Sequence, residues 1–131
     1  MKQKKSNKKL VYFAHPISTY KTPEESKALK LINKTFPKHS LFNPATDIKQ
    51  NGFGFDIMKR CFKIIRTKNT EIIVFMSDER IIGRGVHDEV LLAESLNKKI
   101  FYISNGRLNK KYRIKRLNQN SWIRYAKVKE K

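Results

Sequence analysis

Side chains able to act on a polar substrate gather in three short stretches of the chain, each directly after an apolar run. The first, Ala14 to Tyr20, holds His15, Ser18 and Tyr20. His15 reads equally as a ligand contact or proton donor and as a histidine that caps a strand end. The stretch has no glycine, so it is neither a phosphate-binding P-loop nor a dinucleotide fingerprint. It leads into a helix whose free backbone N–H groups suit a phosphate or carboxylate. The second stretch begins at Asn43, a hydrogen-bonding candidate that reads more simply as a turn residue before Pro44. The third, Ser77 to Glu89, carries Asp78, Gly83 and Gly85 and brings Glu89 into the first turn of a helix. A carboxylate there sits beside the positive helix end, which favours its ionised form. On spacing alone Glu89 is an ordinary N-terminal helix acid.

The elements that must position these groups follow from the apolar pattern. Leu10–Ala14 and Glu71–Met76 are uninterrupted β-prone runs, as strands covered on both faces require. Ser40–Asn43 and Lys99–Ser104 add two more strands, the first cut off by Pro44 and the second by Asn105-Gly106. Thr22-Pro23-Glu24-Glu25 is a helix start, with Thr at N-cap, Pro at N1 and Glu at N3. That helix runs to Phe36-Pro37; others are expected over residues 55–66 and 86–97, with loops over 45–54 and 77–85. Cys61 reads as a small buried residue of the second helix, and His87 as a surface residue of the third. Tyr112 to Val128 alternates loosely with period two, as a final strand or hairpin does.

Strands alternating with helices over residues 10–104 predict an α/β fold. We expect a single-domain, three-layer, flavodoxin- or Rossmann-like architecture with a mainly parallel sheet of four to five strands. Its organisation is a basic tail (1–9), an α/β body (10–106) and a basic C-terminal extension (107–131). Ligands of such sheets bind beyond the carboxyl ends of the strands, near the point where strand order reverses. The three chemically interesting stretches fall there.

Val11–Ala14, Ile72–Phe75, the Gly85-Val86-x-x-Glu89 step, Leu92-Ala93 and Lys98–Phe101 together resemble the nucleoside 2-deoxyribosyltransferase family, which includes nucleotide N-glycosidases. The resemblance implies that Glu89 is a nucleophile toward the anomeric carbon of a nucleoside or nucleoside monophosphate, with Tyr12 as the tyrosine that positions it. It implies hydrolysis or transfer of the N-glycosidic bond by the two-step logic of retaining glycoside chemistry. His15, Ser18 and Tyr20 would line the base or phosphate pocket, with Asn43, Asp78 and Gly85 also at the substrate and Arg84 or Lys21 near a 5′-phosphate. Gly83 and Lys63 stand where the family carries two further aspartates, so Asp56, Asp78 or Asp88 would supply that carboxylate. The resemblance also implies a homodimer. Cleavage of the nicotinamide bond of NAD would use the same carboxylate chemistry.

Composition bounds the alternatives. The chain has 131 residues, with 30 Lys+Arg against 11 Asp+Glu and a formal net charge of +19. Hydrophobic residues make up 39%, enough for a core, which excludes a disordered basic tail protein. No run approaches the ~20 apolar residues of a membrane span, and no secretory signal pattern is present, so a cytoplasmic, membrane-free protein is expected. One cysteine and three scattered histidines offer no metal-ligand spacing; no metal and no organic cofactor are expected. Five Lys in residues 1–9 and ten Lys+Arg in 107–131, against the single acid Glu130, place most of the excess charge at the ends. Those ends suit a polyanion, and the alternative function is a non-catalytic nucleotide- or nucleic-acid-binding protein. Trp122 and Tyr125, interleaved with Arg116, Arg124 and Lys127, either stack on single-stranded nucleic acid or, more simply, pack a terminal strand.

Overall fold

The computed structural model describes residues 9–48, 54–117 and 124–131, without the side chains of 54–56. The main sheet has five strands: β1 (Leu10–Ala14), β2 (Ser40–Phe42), β3 (Thr70–Met76), β5 (Lys99–Ser104) and β6 (Arg107–Asn109). Their order is β2-β1-β3-β5-β6. β1, β2, β3 and β5 run parallel, and β6 returns antiparallel on β5. The helices are α1 (Pro23–Thr35), α2 (Pro44–Asp47), α3 (Gly54–Arg66) and α4 (Arg84–Ser95). A second, antiparallel sheet joins β4 (Ile81–Ile82), β7 (Tyr112–Arg116) and β8 (Ala126–Glu130) in the order β4-β8-β7. This is the α/β class expected, with a mostly parallel five-stranded sheet flanked by helices.

The apolar runs of β1 and β3 are explained by burial on both faces. Val11, Phe13, Ile72, Val74 and Met76 pack with Ala28 and Ile32 of α1. Tyr12, Ala14, Ile73 and Phe75 turn to the other side, against Cys61 and Ile65 of α3, Val86, Val90 and Ala93 of α4, and Ala126 and Val128 of β8. Each large side chain taken fully out of water here contributes about 1.5–3 kcal/mol. The chain leaves β1 toward β2 on one side and reaches β3 on the other, so strand order reverses beside the C-terminal end of β1.

Local capping holds the loops at that end. Thr22 Oγ1 accepts from Glu25 N at 3.2 Å, as the helix-start pattern predicts. The reciprocal bond shifts by one residue: Glu25 accepts from Lys21 N at 2.9 Å, steadying a residue in the left-handed region (φ 61°).

Two expected loops contain regular structure. Asn43 caps a short helix, α2, where residues 45–54 read as loop. Within 77–85, Asp78 and Ile81 exchange both backbone bonds at 2.9 Å around Glu79 (φ 51°) and Arg80 (φ 68°). Two successive left-handed residues make a type I′-like hairpin, normally signalled by Asn-Gly or Asp-Gly. Glu-Arg carries no such signal, which hid β4. No helix among the described residues is long and apolar enough to cross a membrane.

Candidate active site

Glu89 lies in the second turn of α4, which begins two residues earlier than the sequence suggests, with Gly83 as N-cap. It is therefore not a first-turn acid on the helix rim. Its register with Val86, Val90 and Ala93 carries it into the buried stripe of α4, where it is only 5% exposed. A carboxylate in an apolar stripe is costly unless something bonds to it. Tyr12, reaching down from β1, donates its hydroxyl to Glu89 Oε2 at 2.5 Å, across 77 positions of chain. The Tyr12 ring is itself stacked on Phe42 of β2, with centroids 5.6 Å apart. Cys61 of α3 completes the group, its thiol within hydrogen-bonding reach of both Tyr12 and Glu89.

Burial dominates the electrostatics. It pushes the Glu89 carboxyl up to about 7, against the opposing hydrogen bonds from Tyr12 and Cys61. Burial, with Glu89 nearby, drives the Tyr12 hydroxyl far above its ordinary value, so it remains a donor. Cys61 is pushed up to about 12, chiefly by burial and then by Glu89, so at neutral pH it is a thiol and not a nucleophile. The cluster thus presents one carboxyl group poised between its two protonation states, held by two neutral donors.

Gly85 lies one turn before Glu89. Side chains on a helix lean toward its N-terminus, so the Glu89 side chain lies over the Gly85 turn. A Cβ at Gly85 would stand 3.3 Å from Met58 Sδ and 3.6 Å from Met58 Cε, so α3 approaches α4 at this turn through the end of one flexible side chain.

The loops expected at the substrate are tied to each other. Ser18 Oγ donates to Asp78 Oδ2 at 2.6 Å, joining the loop after β1 to the hairpin after β3. Tyr20 is half-buried; burial raises its hydroxyl pKa, with Glu89, Cys61 and Glu25 adding to the effect. Its ring leans on His15 at 4.8 Å, and His15 stacks on Phe13 at 3.9 Å.

His15 and Asn43 prove to be internally committed. His15 Nδ1 faces the Phe13 carbonyl at 3.1 Å and Nε2 faces Glu25 Oε2 at 2.8 Å. Burial lowers the imidazole's pKa, against the pull of Glu25. Burial raises the Glu25 carboxyl, but its hydrogen bonds from His15, Lys21 N and Asn43 outweigh that and hold it below the usual range. Asn43 also accepts from Ala45 N at 3.0 Å through Oδ1. Both residues order the loops around Glu25, a hub that the sequence showed only as a helix-start acid.

Asp56 lies in the first turn of α3, and its side chain is outside the described residues. Trp122 is also outside them. His87, expected at the surface, is 7% exposed and packs edge-on against Tyr125 at 4.9 Å. Tyr125 is likewise buried, with the guanidinium carbon of Arg84 4.5 Å from its ring centroid. No group of three or more His, Cys, Asp or Glu side chains able to hold a metal ion occurs among the described residues.

No protein-family model matches the chain, and no curated protein matches it. Among solved structures it is similar to a 2-desoxiribosyltransferase from Leishmania mexicana, with 18% sequence identity and a TM-score of 0.51. The alignment covers 73% of this chain and 64% of that one, so this chain spans less than two thirds of its neighbour's length. At that identity the likeness is one of fold.

Proposed function

We propose that this protein cleaves the N-glycosidic bond of a nucleoside or nucleoside monophosphate, with Glu89 as nucleophile. The observation that carries the reading is the buried Tyr12–Glu89 pair, close to where strand order reverses. The fold's likeness to a deoxyribosyltransferase supports the same class of chemistry. Ionised Glu89 attacks the anomeric carbon; the bond to the base nitrogen breaks, and its electron pair leaves with the base, which takes up a proton. The resulting sugar ester is resolved by water, giving hydrolysis, or by a second base, giving transfer. Tyr12 and Cys61 hold the carboxylate in place. Gly85 leaves room for the sugar, while Ser18, Asp78 and Tyr20 face the base or phosphate. His15 and Asn43 act by shaping that loop cluster, and Asp56 is proposed as the further carboxylate from α3.

Incubation with a panel of nucleosides, deoxynucleosides and their monophosphates, read by chromatography of free base, tests this. Base release by the wild type and its loss in Glu89→Ala are expected. Undiminished release by the variant, or no release from any member of the panel, refutes the proposal.

A further inference from the structure

We propose that the outer face of the β4-β8-β7 sheet is a docking surface for a nucleic-acid backbone, separate from the Glu89 site. Strand alternation sends Ala126 and Val128 inward to the core, with Tyr112 and Ile114 packed against them. The outward positions between them are Arg113, Lys115, Lys127 and Lys129, all exposed. Their register makes two directly opposed pairs, Arg113 with Lys129 and Lys115 with Lys127. None of the four side chains has a hydrogen bond or ion pair among the described residues. The strand's acid, Glu130, accepts from Asn105 Nδ2 at 3.1 Å.

Like charges directly opposite on a sheet destabilise it. Folding alone needs only polar residues at these positions, so four unpartnered cations have no structural role that neutral residues would not fill. Opposed residues lie ~5 Å apart across the strands and successive outward residues ~7 Å apart along them. That makes a dense, flat, positive patch, which fits a closely spaced row of phosphates.

The partner class follows from what else lies on this face. Ile81, opposite Lys127 on β4, is the apolar neighbour there, and it is half-buried. Among the described residues the face therefore carries no aromatic anchor and only this one half-buried aliphatic side chain, short of a protein–protein hot spot or a membrane-inserting surface. Binding would be electrostatic, indifferent to base sequence and steeply salt-dependent.

The experiment is fluorescence anisotropy with labelled oligonucleotides, single-stranded RNA and duplex DNA, at about 50 and about 200 mM salt. Four proteins are compared: wild type, R113A/K115A/K127A/K129A, the charge-matched α1-side variant K27A/K30A/K34A/K38A, and Glu89→Ala. Four phosphate contacts contribute a salt slope of ~3.6 on duplex and ~2.8 on single strands. Between the two salt concentrations the wild type should lose ~10²-fold more duplex affinity than the sheet variant. The charge-matched variant should keep most of the wild-type slope, and Glu89→Ala all of it, which separates this surface from the catalytic reading. Because the sheet variant removes like-charge contacts, it should melt no lower than the wild type. Equal slopes for sheet variant and wild type, or equal losses in both quadruple variants, overturn the proposal. So does tighter binding to polyglutamate or to phosphatidylserine vesicles than to either oligonucleotide.

Discussion

Replacing Glu89 by glutamine should make the protein more stable, and by an amount that depends on pH. The carboxyl has an ordinary value of 4.5 and is pushed up to about 7 by burial in the fold. Below the lower value the folded and unfolded states are both protonated at this site, and the group costs nothing. Between the two values the folded state holds a proton that the unfolded state has released, so stability falls as pH rises. The slope is about 1.4 kcal/mol per pH unit. Across this window the loss amounts to about 3 kcal/mol and is complete above the folded value. The Glu89→Gln side chain retains an oxygen for the Tyr12 hydroxyl and carries no charge, so it avoids the loss. Urea denaturation of both proteins at about pH 5 and about pH 8 reads the difference, and subtracting one protein from the other removes the contributions of all other groups. The variant should be more stable by about 3 kcal/mol at the higher pH and by about 1 kcal/mol or less at the lower. A variant that is less stable at the higher pH, or a difference that does not change with pH, would refute the buried, proton-binding carboxylate.

Four further outcomes follow from the same geometry. Tyr12→Phe removes a donor that holds Glu89 down; activity is expected to rise with pH as the carboxyl, pushed up to about 7, ionises, and in the variant that midpoint should move up by about one to two units, read by a pH–rate profile. Gly85→Ala adds a methyl that meets only the flexible end of Met58 and gains helix propensity, so its melting temperature should hold or rise while turnover falls about tenfold or more. Glu25→Ala strands His15 Nε2 and Lys21 N and should destabilise by about 2–4 kcal/mol, measured by chemical denaturation. Ser18→Ala breaks an exposed bond to Asp78; stability should change by less than about 1 kcal/mol while KM rises more than kcat falls.

The parts of the fold that could be read from sequence are those whose determinants are local. Continuous apolar runs marked β1 and β3, and Thr22-Pro23 with Glu25 marked the start of α1 to the residue. β4 was hidden because its turn uses Glu79 and Arg80 in conformations that usually recruit Asn or Gly. α2 was hidden although Asn43-Pro44 carries its cap and first residue, because four residues give no periodicity. The candidate site was legible in its members and not in their relations. Tyr12 and Glu89 meet across three strands and helices of intervening chain, and nothing near either names the other. The register of Glu89 with Val86, Val90 and Ala93 was present in the sequence and separates a buried acid from a rim acid. Cys61 was seen as a core residue; its contact with the carboxylate depends on how α3 crosses α4. His87 looked exposed because its cover, Tyr125, comes from a segment with little local pattern.

As the proposed nucleophile, Glu89 must bond covalently to a sugar during turnover. Intact-protein mass spectrometry, on enzyme quenched in acid during turnover of a deoxynucleoside or its monophosphate, tests it most directly. A mass increase of one sugar unit, with or without its phosphate, is expected, mapped by peptide sequencing to Glu89 and absent from Glu89→Gln. Base release with no adduct under any quench, or an adduct on another residue, would contradict it.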